Sequence, residues 1–143
     1  MTEVLTKKHF FSWLVSTVSM FLLSNLYHNI ILNDFDRILY PKPFFYSSLL
    51  IAYSGISLVG ILIYSLNFFS KLGPHFSAFL IGSILGITTY AITITMGFSF
   101  NNSLSMQQNM LDVLWQVIEQ GIGLLVGAIC YQIIEKGGFF IHI

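Results

Sequence analysis

The sequence predicts an all-α, polytopic membrane protein: a four-helix bundle, embedded in lipid, with short loops. Three observations predict it. Of 143 residues, 55% are hydrophobic and only 8% charged, with a mean hydropathy of +0.79. A soluble domain carries about 25% charged residues, so these charges could not cover a water-facing surface. The apolar residues also fall into four continuous runs, each near the ~20 residues a helix needs to cross the hydrocarbon. Finally, the runs do not alternate polar with apolar residues, which excludes a membrane β-barrel.

The first span is expected at about 10–32, the second at 44–66, the third at 74–98 and the fourth at 110–134, all in one transmembrane domain, 1–143. Thr6-Lys7-Lys8 before the first run resembles a signal-peptide leader, but the charge-free stretch from His9 to Leu32 exceeds a signal core and no A-x-A site follows. A retained helix is therefore expected. Pro41 and Pro43 punctuate the start of the second span, and Gly73-Pro74 opens the third, proline being tolerated in a first helical turn. The connections NDFDRILYPKP, NFFSKLG and SFNNSLSMQQN are short and polar.

Lys7, Lys8, Lys71 and Lys136 fall on one side of this threading, and Arg37 and Lys42 on the other. The positive-inside rule then places both termini in the cytoplasm of what is expected to be a bacterial inner membrane. The basic and acidic residues cancel, so no polybasic surface recruits nucleic acid or anionic headgroups. The lone Cys130 excludes a disulfide within the chain and reads as a small packing residue. Aromatic residues near the expected interfaces, including Phe10, Trp13, Tyr40, Phe44, Phe68 and Phe139, suit anchoring belts.

In lipid, small residues rather than hydrophobicity let helices approach. Gly82-x-x-x-Gly86, continued through Thr89, Thr93 and Gly97, and Gly123-x-x-x-Gly127 offer such faces, for packing within the bundle or for pairing between subunits. A chain this small, with glycine faces and few charges, is expected to act as a homo-oligomer or beside other membrane subunits.

Polar residues inside the spans are the candidates for function. Asp112, Gln116, Glu119, Gly123 and Gly127 recur at helical spacing along one face of the fourth span. Glu119 lies ~13 Å into that span, near the bilayer centre, at about 1.5 Å per residue. A carboxylate facing lipid there would cost at least ~2.5–3.5 kcal/mol. Glu119 must therefore face protein, either as a neutral hydrogen-bonding bridge between helices or as a proton, cation or ligand site. On the first span, Asn25, His28 and Asn29 stand at i, i+3 and i+4, at a depth overlapping the Asp112–Gln116 end of the fourth. Contact between those helices would join Asn25, His28, Asn29, Asp112, Gln116 and Glu119 in one polar network.

Of the histidines, only His9 and His75 fall at equal depth on different helices, as a membrane haem would require, and both sit at helix starts. No cofactor and no metal site is expected. No GxSxG, HExxH or phosphate-loop motif occurs, so the expected class is a non-enzymatic accessory or structural subunit. The alternative is a small channel, transporter or ligand-binding protein built on Glu119.

His28, the run Asn33-Asp34-Phe35, the third-span stretch GSILGITTYAIT and Asp112-x-x-Trp115 together resemble a group of small bacterial four-helix membrane proteins. The resemblance covers the whole layout and implies topology, not chemistry. It departs at Asn33, where the group carries a basic residue before the aspartate.

Overall fold

The computed structural model describes residues 2–32, 41–67, 69–95 and 106–137, with side chains from residue 7 except at 70 and 106–108. Arg37, Tyr40, Phe68, Phe139, the Asn33-Asp34-Phe35 run and the last residues of the expected third span lie outside the described residues. Every described element is helical: α1 (Thr2–Ser24), continued by a π-helical segment (Asn25–Ile31), α2 (Lys42–Ser65), a 3₁₀ turn (Ser70–Leu72), α3 (Pro74–Thr95) and α4 (Met106–Glu135). Among the described residues, four helices are long and apolar enough to cross a membrane. Less than half of each span is buried in the bundle, from 22% in α2 to 44% in α4. Val18, Leu22, Ile51 and Ile87 are among the large apolar side chains left facing outward, a surface that suits hydrocarbon and not water. The chain is an integral membrane protein.

The helix ends follow local chemistry. Pro41 precedes α2 and Pro43 sits in its first turn, where a missing N–H costs nothing. After α2, Asn67 takes a left-handed φ of 54°, a conformation asparagine tolerates better than most residues. Gly73, at φ 80°, then turns the chain into Pro74. α1 and α4 extend beyond the lengths expected from hydropathy, because hydropathy marks the hydrocarbon and not the helix end. The extra turns tie the two helices together: Lys8 Nζ meets Glu135 Oε1 at 2.7 Å and lies 4.4 Å from the centroid of the Tyr131 ring. Tyr131 in turn meets His9 and Tyr64 edge-on, and Gln132 Nε2 donates to the Tyr64 hydroxyl at 2.8 Å.

The π-helical segment departs from the regular helix expected to residue 32. Leu32 N–H donates five residues back, to the Tyr27 carbonyl, at 2.9 Å. This wider turn breaks the i, i+3, i+4 arithmetic that would set Asn25, His28 and Asn29 one above another.

α4 is the hub, packing chiefly against α1 and α3, while α2 leans mainly on α1. The two glycine pairs make these seams possible. A Cβ at Gly82 would strike the Gln120 carbonyl oxygen of α4, and one at Gly86 would lie 2.6 Å from the Gln116 carbonyl. Gly123 and Gly127 face α1, the first against the Met20 side chain and the second against Ser16 and the Ser12 carbonyl. Both glycine pairs are thus used inside one chain. The core between the helices is Met20, Ile61, Ala78, Ile81, Leu124 and Ala128, closed towards the Lys8 end by Tyr64 and Tyr131. α1 and α2 are joined by Thr17 with Ser57 and by Trp13 Nε1, which donates to the Ser54 carbonyl at 2.9 Å.

Candidate functional site

The α1–α4 seam runs from Lys8–Glu135 through Ser12 and Ser16 against Gly127, then Met20 against Gly123, and reaches Glu119 one turn farther along. The Glu119 side chain is fully buried. Trp115, one turn before it on the same helix, donates its indole N–H to Glu119 Oε2 at 2.9 Å. Oε1 has no hydrogen-bond partner. Across the seam from α2, buried Tyr53 brings its hydroxyl within electrostatic reach of the carboxyl, of Ser24 on α1 and of Gln116 on α4. Its geometry on Oε1 falls short of a hydrogen bond.

α3 joins through Thr89. Gln120 Nε2 donates to Thr89 Oγ1 at 3.0 Å and to Gln116 Oε1 at 3.0 Å, while the buried Gln120 Oε1 has no partner. All four helices therefore contribute to one polar cluster: Ser24, Tyr53, Thr89 and, on α4, Trp115, Gln116, Glu119 and Gln120. The close α3–α4 approach at Gly82 and Gly86 brings Thr89 within reach of Gln120.

Not every residue singled out from sequence belongs to this cluster. Gln116 is part of it. His28 stands edge-on to Tyr27 with centroids 5.0 Å apart, and Tyr27 stacks on Trp115 at 4.3 Å and 12°. The connection from His28 to Glu119 thus passes through two aromatic rings. Asn25 and Asn29 are half-buried on the same π-helical segment. Asp112 is half-buried, and its charge reaches Tyr90 on α3, whose hydroxyl donates to the Asn109 carbonyl at 3.2 Å. His9 is taken up by Tyr131, and His75 is exposed.

Sequence reasoning passes over Tyr53 and Ser24, gives Thr89 only a place on the Gly82–Gly86 face, and gives no role at the site to Gln120, Trp115 or Tyr27. One signal was present: Trp115 and Gln116 each have a partner four residues on, the spacing at which side chains meet on a helix. Tyr53 carries no such mark, and the face that Thr89 shares with Gly82 and Gly86 does not say which helix it meets, because that depends on how separate helices pack.

Among the described residues no three His, Cys, Asp or Glu side chains gather as metal ligands. Among the described residues the cluster holds one acidic group, Glu119, and several neutral polar groups. The chain matches no protein-family model, no curated protein and no solved structure.

Proposed function

We propose that the protein is a small polytopic membrane protein whose working part is an intramembrane carboxyl site at Glu119, which binds and releases a proton or another small positively charged ligand. It is not an enzyme in this reading. The observation that carries it is the Glu119 carboxyl itself, enclosed by four helices with one oxygen held and the other unpartnered. A group placed only to bind helices together would be expected to satisfy both oxygens, since an unmade hydrogen bond in a dry interior costs about 1–3 kcal/mol. Intramembrane acids facing a bundle interior commonly mark ion or proton sites. The Lys distribution supports a cytoplasmic Lys8 end and cytoplasmic termini.

Trp115 offers the test. The chain has two tryptophans, so Trp13→Phe leaves the Trp115 indole as sole reporter beside the carboxyl. A pH titration of its emission in micelles should show one transition that Tyr53→Phe keeps and Glu119→Gln abolishes. Tyr53 on α2 is the titratable group facing the carboxyl across the seam, and His28 and Asp112 lie towards the same end. An unchanged transition in the Glu119→Gln variant would end the reading.

A second reading, an accessory subunit or homo-oligomer, is favoured by α2. Its outward face carries Ala52 and Gly55, and a Cβ at Gly55 would meet nothing within 4 Å. Native mass measurement after gentle solubilisation should then give a multiple of 16.2 kDa or a mixed complex. A monodisperse monomer would rule it out.

A further inference from the structure

The ligand class can be argued from the same cluster, and the argument rests on the Glu119 reading. Trp115 holds one carboxylate oxygen, which leaves Oε1 as a single negative acceptor. The Tyr53 hydroxyl of α2 lies within reach of the carboxyl and of Ser24 on α1, so two helices bring neutral hydroxyl oxygens to its neighbourhood, while the Gln116 oxygen is taken by Gln120. Carboxylate and hydroxyl oxygens suit hard cations.

Charge then limits valence. One carboxylate neutralises one positive charge, and a divalent ion would leave an uncompensated charge among Met20, Ile61 and Leu124. Magnesium would also have to give up waters that it releases reluctantly.

Size is limited by enclosure. Ser24 and Tyr53 are buried with Glu119, and Tyr27 covers one face of the Trp115 indole, so an organic cation would find no open ring stack to lie against. Towards the Lys8 end the cluster is closed by fully buried Met20 and Leu124. On the His28 side, Asn25, Asn29, Asp112 and Gln116 are polar and half-buried.

We propose that Glu119 Oε1, with the Tyr53 and Ser24 hydroxyl oxygens, binds one dehydrated monovalent metal cation of about sodium size, entering from the His28 end. Uptake forms cation–oxygen contacts and breaks no covalent bond. The cation's charge replaces the proton that would otherwise neutralise the carboxyl.

The experiment uses the full-length Trp13→Phe protein in sodium-free buffer at fixed pH, with ionic strength held constant by choline chloride. Sodium chloride should produce a saturable change in Trp115 emission that choline does not, with potassium weaker. Glu119→Gln should remove the response. Ser24→Ala should weaken it roughly tenfold, a loss typical even of a supporting partner in a metal site. If Glu119→Gln fails to insert, Ser24→Ala and Tyr53→Phe carry the test. The inference is overturned if sodium and choline act alike, if Glu119→Gln responds as the parent does, or if magnesium binds more tightly than sodium. A silent sodium titration beside an intact pH transition would mean that only a proton binds, which defeats this inference and leaves the Glu119 site standing. Loss of both signals would remove the site itself.

Discussion

Gly82→Val should unfold or disassemble the bundle, and Gly82→Ala should already destabilise it by roughly 3 kcal/mol, at the upper end of what overpacking costs. The reason is that a Cβ at Gly82 meets backbone: the Gln120 carbonyl oxygen, with the Gln120 carbonyl carbon and Gly121 Cα close behind. A side chain can rotate away from such an intrusion, but a neighbouring helix axis must move. Gly86→Ala should follow closely, its Cβ falling 2.6 Å from the Gln116 carbonyl oxygen. Gly55→Ala is the control, since nothing lies within 4 Å of its Cβ. That change should be neutral or slightly favourable, because alanine is the better helix former. Unfolding of the purified variants in mixed micelles, followed by circular dichroism, gives the order directly. Equal losses at Gly82 and Gly55 would refute the α3–α4 seam. Because Gln116 and Gln120 are also members of the polar cluster, the Gly82 and Gly86 variants should blunt the Trp115 emission transition even where helix content survives.

The second large effect is expected at Met20, fully buried between α1 and α4. Met20→Ala should cost ~2–5 kcal/mol, the range for truncating a large core side chain to leave a cavity. Gly123→Ala alone should cost about 1–3 kcal/mol, because its new methyl would press on the Met20 side chain, which can partly yield. The informative variant is the double one. With Met20 shortened, the methyl at position 123 enters the space that Met20 vacated, so the double variant should be more stable than the sum of the single losses. The coupling should be about 1–2 kcal/mol, within the range for residues in direct contact. Simple additivity would mean that the two residues do not share that space.

The spans were legible because hydrocarbon thickness fixes helix length, and continuous apolar runs with prolines at their edges announce it without any knowledge of packing. α2 and α3 accordingly begin within two residues of where the sequence places them. The burial of Glu119 was legible for the same reason: an acid at that depth has no tolerable position against lipid. Its surroundings were not. The glycine spacings mark close faces but do not say which helix each face meets, and the answer decides that Thr89 and Tyr53 converge on α4. The π-helical segment was also hidden. Asn25, His28 and Asn29 look well spaced for a regular helix, and only the stacking of Tyr27 on Trp115 shows what the altered turn achieves.

The hub position of α4 also bears on how the protein is made. α4 is the last of the four helices to be synthesised, and the main partners of α1 and α3 lie on it. During translation the first three spans therefore enter the bilayer before the helix that holds most of them together exists. α1 and α2 can pair early through Trp13 and Thr17, but α3 has only slender contact with α2. The carboxyl group enters the membrane with that final helix, and Ser24, Tyr53 and Thr89 are by then already inserted to receive it. Closure around Glu119 therefore waits for the last span, and the costliest residue is made only when the other helices that enclose it already exist.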